Sequence, residues 1–251
     1  MIRAIAGFEL HRRVHAISTY IYFLLFAALA CLIMAAGAGG IEGASVSFGG
    51  GGKVLANSPF VLANLTMLLS LFGLLVTAAV MGGTAYRDFE CRINPLIFTS
   101  HVGKTAYLGG RFLAAAVVLI FIFSGIGTGL WVGTLMPGLD HARLGANHWT
   151  AYLAPYLSMV IPNVIIMGTL FFSVAVLSRR ILPVYMISVL LLAAYLIAGT
   201  ISNKIEHKFL ASLVDPFGMT AFGHLTEYWT IVEKNTRIPE LTGEKSPRPK
   251  N

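Results

Sequence analysis

Charged residues are scarce in this sequence and absent from long parts of it. Asp, Glu, Lys and Arg make up 12% of the 251 residues, against about 25% in a typical soluble domain. A helix needs about 20 apolar residues to cross the hydrocarbon core of a bilayer. Stretches of at least that length without any of the four charged residues are 17–38, 60–86, 112–136, 149–178 and 181–203. This pattern predicts an all-α, polytopic transmembrane helical bundle with five visible spans.

Cysteines and catalytic motifs are also nearly absent. The only cysteines are Cys31, in the first apolar stretch, and Cys91, in a connection that should lie on the other side of the membrane, so no disulfide is expected. The sequence has no His-Glu-x-x-His, Gly-x-Ser-x-Gly or Cys-x-x-Cys motif, and no charged residue lies deep in a predicted span. We therefore predict no metal site, no cofactor and no enzymatic activity in this chain.

The net charge of +7 does not indicate a nucleic-acid partner, because the basic residues form no patch interleaved with aromatic residues. They lie instead at the ends of the apolar stretches, where they set orientation in a lipid bilayer. One side of the predicted bundle carries Arg3, Arg12, Arg13, Arg87, Arg92, Lys104, Arg111, Arg179 and Arg180, and the opposing loops carry only Lys53 and Arg143. This bias predicts a cytoplasmic N-terminus.

The chain divides into three predicted parts. Residues 1–16 mix apolar and basic side chains, which favours an N-terminal interfacial helix; a simple extension of the first span is the alternative. Residues 17–203 form the transmembrane domain. Residues 204–251 are predicted to contain extracytoplasmic interfacial helices and, from Thr236, a disordered tail.

The fourth predicted span contains prolines, at positions where they free backbone carbonyls and kink a helix. These are Pro155 and Pro162, the latter followed by Asn163. Asn163 could line a pathway, or it could have a structural role in which it caps the broken turn or bonds a neighbouring helix. The structural role is favoured, and both readings remain open.

The connection between the second and third spans mixes charges of both signs with apolar residues. Its first part contains Arg87, Asp88, Phe89, Glu90 and Arg92. A short helix of this composition can dock in a groove of another protein, with apolar residues as anchors and charges that set the register. The alternative is a loop that only tethers two spans.

Several short strings, in their order and spacing, resemble a known family. They are Phe8-Glu9-Leu10 with Arg12-Arg13, Asn57-Ser58-Pro59, Tyr86-Arg87-Asp88-Phe89-Glu90, Gly110-Arg111-Phe112, Asp215-Pro216-Phe217-Gly218, Tyr228-Trp229-Thr230 with Glu233, and Asn235-Thr236-Arg237. The chain to about Pro239 resembles type-2 ABC exporter permeases. The likeness is greatest to the N-terminal membrane region of bacterial permeases fused to an aminopeptidase-like domain.

The resemblance implies a function that the residues alone do not. The chain would be a membrane-spanning permease subunit of an ATP-driven ABC exporter in the bacterial cytoplasmic (inner) membrane, paired with a second permease half or another copy of itself. Residues 87–104 would hold the coupling helix, where Arg87, Asp88, Phe89, Glu90 and Arg92 contact a separate ATPase that binds ATP and Mg. The family norm is six spans, and the residues after Thr242, where the sixth is expected, are polar. The alternative is a membrane anchor or scaffold for a protease or assembly partner that transports nothing.

Overall fold

A computed structural model of the protein describes residues 2–41, 53–91, 103–202, 215 and 217–238. Within these residues the regular structure is helical throughout, which confirms the all-α prediction for them. The helices are α1 Ile2–Val14, α2 Ile17–Gly37, α3 Pro59–Glu90, α4 Lys104–Gly133, α5 Trp149–Pro155, α6 Ile161–Ser178, α7 Leu182–Ser202, α8 Met219–Thr226 and α9 Ile231–Thr236. A π turn, Tyr156–Val160, joins α5 to α6.

Four helical segments in the described part of the chain are long and apolar enough to cross a membrane. They are α2, α3, α4 and the continuous segment Trp149–Ser178. They coincide with the first four predicted spans and indicate a membrane protein. α7 occupies the place of the fifth and is 21 residues long, with a shorter apolar part at Leu182–Ile197. A total of five spans stays a prediction.

α3 is the longest helix and the most deeply buried of these segments. Its start is fixed by Ser58, whose side-chain oxygen accepts a hydrogen bond from the backbone N–H of Val61 at 3.3 Å. Pro59 suits the first helical position because it has no N–H to satisfy there. The 32 residues of α3 extend about 48 Å at the usual helical rise, well beyond a hydrocarbon core of roughly 30 Å.

α2 and α4 approach each other closely along a row of glycines on α4. A Cβ atom on Gly125 would lie 2.6 Å from the carbonyl oxygen of Phe23, and one on Gly129 would overlap the backbone of Ala27. Gly133 continues the row one turn later. Small residues at four-residue spacing let membrane helices pack backbone to backbone, where dispersion contacts are densest.

The helices α4, α6 and α7 all pack against α3, which therefore forms the centre of the bundle. Phe123 of α4 fills the space beside Gly73 of α3, and Met81 of α3 fills the space beside Gly168 of α6. The outward faces stay apolar; Leu177, for example, is 83% exposed. Such faces are typical of side chains that contact lipid tails.

α1 is a separate helix, not an extension of α2. The chain leaves helical structure at His15 and Ala16, and α1 turns back to pack along the first turns of α4. There Gly110 leaves room for the backbone of Ile2, whose carbonyl oxygen would lie 3.0 Å from an added Cβ. Phe8 on the opposite face of α1 is 74% exposed. A position of α1 in the membrane interface stays a prediction.

The two ends of the bundle differ in charge. We call one the basic end, formed by α1, the last turn of α3, the first two turns of α4 and residues 179–180; its described residues include eight Lys or Arg and three acids. We call the other the cap end, formed by residues 53–58, residues 134–148, Asp215 and residues 217–238, which include α8 and α9; four basic and four acidic residues are described there. The bias predicted from the sequence is thus gathered at one end of the fold.

Candidate functional site

The residues predicted to contact an ATPase lie at the tip of α3. Arg87, Asp88, Phe89 and Glu90 form its last turn, so they continue a span and are not part of a separate short helix. Arg92 and the rest of the predicted coupling segment to residue 102 lie outside the described residues.

Asp88 is engaged within the chain. Its carboxylate forms an ion pair with Arg111 of α4 and accepts a hydrogen bond of 2.7 Å from the hydroxyl of Tyr107. Arg111, only 4% exposed, also donates to the Tyr107 oxygen at 2.9 Å. Because removal of either partner would leave a buried charge uncompensated, this cluster fixes the tip of α3 to the start of α4.

The other residues of the tip are more accessible. Glu90 is exposed, while Arg87 and Phe89 are half-buried. The guanidinium of Arg179 lies over the Phe89 ring, 5.8 Å from its centroid, in a cation–π contact. Arg179 adopts the left-handed conformation with φ of 53° at the end of α6. The turn between α6 and α7 therefore also touches the tip of α3.

A second ion-pair cluster ties α1 to α3. Glu9, 5% exposed, pairs with Arg12 and with Arg13, whose Nε lies 3.5 Å from the Glu9 carboxylate. Arg13 also donates to the carbonyl oxygen of Val80 at 3.2 Å and to the hydroxyl of Thr84. Burial lowers the pKa of the Arg13 guanidinium, and the charge of Glu9 opposes that change.

The two clusters are electrostatically connected, because the positive charge of Arg111 also acts to lower the pKa of Arg13. They join α1, α3 and α4 at the basic end through buried charged groups.

The proline-containing segment in the middle of the bundle is not sharply broken. The π turn, which lies between Pro155 and Ile161, continues the helical path, and the hydroxyl of Tyr156 donates to the carbonyl oxygen of Ile120 on α4. Asn163 is 7% exposed, and its Oδ1 atom has no hydrogen-bond partner among the described residues. That oxygen therefore neither caps the turn nor bonds a neighbouring helix directly.

The cap end is held by neutral amides. The Asn57 side chain accepts from the backbone N–H of Gly145 and donates to its carbonyl oxygen, each at 2.7 Å. It also donates to Asn147 at 2.9 Å, and Asn147 donates to the hydroxyl of Thr134 at 3.0 Å. The loop after α4 is thereby fixed to the start of α3.

The C-terminal helices fold onto the same end. Asn235 of α9 accepts from the backbone N–H of Leu55 at 2.9 Å and donates to the carbonyl oxygen of Lys53 at 3.1 Å. Asp215 accepts from the hydroxyl of Tyr195 on α7 at 2.8 Å and from the backbone N–H of Gly218 at 3.0 Å. Helices are present in this region, and their interfacial, extracytoplasmic position stays a prediction; the predicted disordered tail lies outside the described residues beyond 238, and Thr236 itself ends α9.

Comparisons of the chain with family models, with curated proteins and with solved structures found no match. The part of the chain that the structure describes forms a helical bundle with four helical segments long and apolar enough to cross a membrane. Many of the strings that carried the resemblance in the sequence supply contacts between separate parts of the fold, including those of Arg13, Asn57, Asp88, Arg111 and Asn235.

Proposed function

We propose that the chain is the membrane-spanning permease subunit of an ATP-driven ABC exporter in the bacterial inner membrane. It would pair with a second permease half or a second copy of itself, and a separate ATPase would bind ATP and Mg. Transport would follow when closure of the ATPase pushes on the tips of the two permease halves. The substrate path would form between their spans.

The observation that supports this proposal is the arrangement of exposed and paired side chains at the tip of α3. It presents an exposed carboxylate, Glu90, and a half-buried aromatic ring, Phe89, at the end of the most buried helix. An ion pair joins the same turn to α4, and hydrogen bonds from Arg13 to Val80 and Thr84 join α1 to α3 in the two turns before the tip. A partner that binds the tip would therefore move the central helix and two others at once, as a coupling element must.

The proposed orientation follows from charge. An excess of Lys and Arg in short connections favours the cytoplasmic side, and the basic end carries that excess. This orientation places the α3 tip where a cytoplasmic ATPase could reach it. It also places the cap end, with α8 and α9, outside the cytoplasm, and makes α7 the fifth span.

The test uses Glu90→Lys, because Asp88 is already paired within the chain. The protein is purified from its native membrane in detergent, and ATP hydrolysis by co-purified subunits is measured before and after reconstitution into vesicles. We expect the unaltered chain to bring a nucleotide-hydrolysing subunit with it. In the Glu90→Lys variant that association, or the link between hydrolysis and transport, should be lost while membrane insertion persists.

The matched control is Glu227→Lys, which makes the same charge change at an exposed residue of the cap end. It should leave ATP hydrolysis and its coupling unchanged. If the chain carries no ATPase with it, or if both variants behave like the unaltered protein, the exporter proposal fails. A stable complex with a protease and without nucleotide hydrolysis would then favour the scaffold function.

A further inference from the structure

A small cavity lies in the core of the bundle, between α3 and the junction of the π turn with α6. Its lining includes Ser70 and Thr77 of α3, Asn163 and Met167 of α6, and Phe217 from the segment before α8. Ser70 and Thr77 share a helix face because seven residues make about two turns. The space is about the size of one water molecule.

Three side-chain oxygens of residues around this cavity can accept a further hydrogen bond. The Ser70 hydroxyl donates to the carbonyl oxygen of Met67 at 2.8 Å, and the Thr77 hydroxyl donates to that of Gly73 at 3.0 Å. Each hydroxyl has one hydrogen, so only lone pairs remain for a further partner. Asn163 adds its buried Oδ1, which has no partner among the described residues.

A buried acceptor without a donor is costly, and cavities of this size that are polar hold water, whereas empty ones are lined by apolar groups. Water fits the need, since it brings two donors and occupies the space available. A small cation would also attract the three oxygens, but none of the lining residues carries a carboxylate to offset the loss of its hydration.

We propose that one ordered water molecule occupies this cavity, donates to Oδ1 of Asn163 and bonds a hydroxyl oxygen of α3. The water would connect α6 to α3 at the point where Pro162 and the π turn weaken the helix's own hydrogen bonds. Asn163 would then bond a neighbouring helix after all, through a solvent molecule. This inference is independent of any transport activity.

The test is X-ray radiolytic footprinting of the full chain in lipid nanodiscs, because radicals formed from a bound water oxidise the side chains next to it. Met167, 8% exposed, lines the cavity; Met34 and Met81 are fully buried and do not. We expect Met167 to be oxidised faster than both. In Asn163→Leu the new side chain fills the space and removes the acceptor. The oxidation rate of Met167 should then fall to that of Met34 and Met81.

Equal oxidation of Met167 and the two control methionines in the unaltered protein would overturn the proposal, as would unchanged oxidation in Asn163→Leu. If Asn163→Leu does not fold, Thr77→Val removes an acceptor at nearly constant shape and should reduce Met167 oxidation. Its control is Thr128→Val, because the Thr128 hydroxyl bonds only its own helix and lies outside the cavity lining.

A second measurement separates water from a cation. Thermal unfolding of the purified protein is recorded in sodium, potassium and choline chloride at one ionic strength. A water molecule predicts the same midpoint in all three salts. A midpoint raised by sodium alone, and no longer raised in Asn163→Leu, would show a sodium ion in the cavity and refute the water.

Discussion

The basic end and the cap end of this bundle are held together by different kinds of contact. At the basic end, helices are joined by charged groups: Arg13 of α1 donates to Val80 and Thr84 of α3, and Asp88 pairs with Arg111. At the cap end, loops and helices are joined by neutral amides, chiefly those of Asn57 and Asn235. Both ends are well connected, but within the described residues only the basic end joins two helices by an ion pair.

The difference matters because the two kinds of contact fail differently. When one member of a buried ion pair is removed, the other stays behind as an unpaired charge in a poorly solvated site. When an amide is removed, only neutral groups lose partners, and at the end of a bundle water can replace some of them. The basic end should therefore respond more strongly to single substitutions, and this is the end proposed to bind a partner.

The largest effect is expected for Arg111→Met, which leaves Asp88 without its cation. Loss of one member of a buried pair costs about 3–5 kcal/mol in the free energy of unfolding. The double variant with Asp88→Asn should recover much of the lost free energy of unfolding, because neither side chain then leaves an unpaired charge. Denaturant unfolding in detergent, followed by tryptophan fluorescence, measures both.

The control for this prediction is Arg143→Met at the cap end. Arg143 pairs with Asp140 at 3.4 Å, but both side chains are about half exposed, and such pairs contribute about 0–1 kcal/mol. If Arg111→Met is no more harmful than Arg143→Met, the distinction between a charge-dependent end and a neutral end is wrong.

A smaller effect is expected for Asn57→Ala, which leaves the backbone of Gly145 without its side-chain partners. We expect a loss of about 1–2 kcal/mol, the usual range for buried neutral groups that lose a hydrogen bond. Asn64→Ala is the matched control, because that side chain bonds only the carbonyl oxygen of Phe60 in its own helix. The thermal unfolding midpoint should be lower for Asn57→Ala than for Asn64→Ala. Equal midpoints would contradict a stabilising role of the contact between Asn57 and Gly145.

The smallest effect is expected at α9, where Glu233 completes a capping box with Thr230. Hydrogen bonds from the backbone and the hydroxyl of Thr230 hold the pKa of Glu233 below its usual value. Since the folded pKa is lowered, this stabilisation is complete above the usual pKa and is lost as pH falls through the folded one. Trp229 fluorescence, with Trp131 and Trp149 replaced by Phe, should report the change.

Glu233→Gln should remove this pH dependence, whereas Glu227→Gln should keep it. If the pH-dependent change persists in Glu233→Gln, it arises from another group, and the Glu233 capping contact does not depend on charge.

The spans could be predicted from sequence because charge-free length is a local property. Four of the five predicted spans have candidate helices whose ends lie within eight residues of their expected limits. The separate α1 is also consistent with its mixed composition. The close seam of α2 and α4 had a signal that the sequence analysis did not use, the glycines at 125, 129 and 133.

The contacts at the two ends could not be predicted, because each joins residues far apart in the chain. Asp88 and Arg111 belong to different helices, and Asn57 and Gly145 are 88 residues apart. A partner for Asp88 depends on which helices are neighbours, and apolar periodicity does not determine that. The sequence therefore predicted that Asp88 contacts another protein, whereas in the fold Asp88 pairs with Arg111 of the same chain.

The length of α3 links this protein to the thickness of its membrane. Its charge-free part, residues 60–86, spans about 40 Å, and natural bilayers have hydrocarbon layers of roughly 27–33 Å. Such a mismatch is relieved by helix tilt or by local thickening of the lipid. A thinner bilayer would raise the tip of α3 further into the aqueous phase, so lipid composition would regulate how easily that tip can be reached.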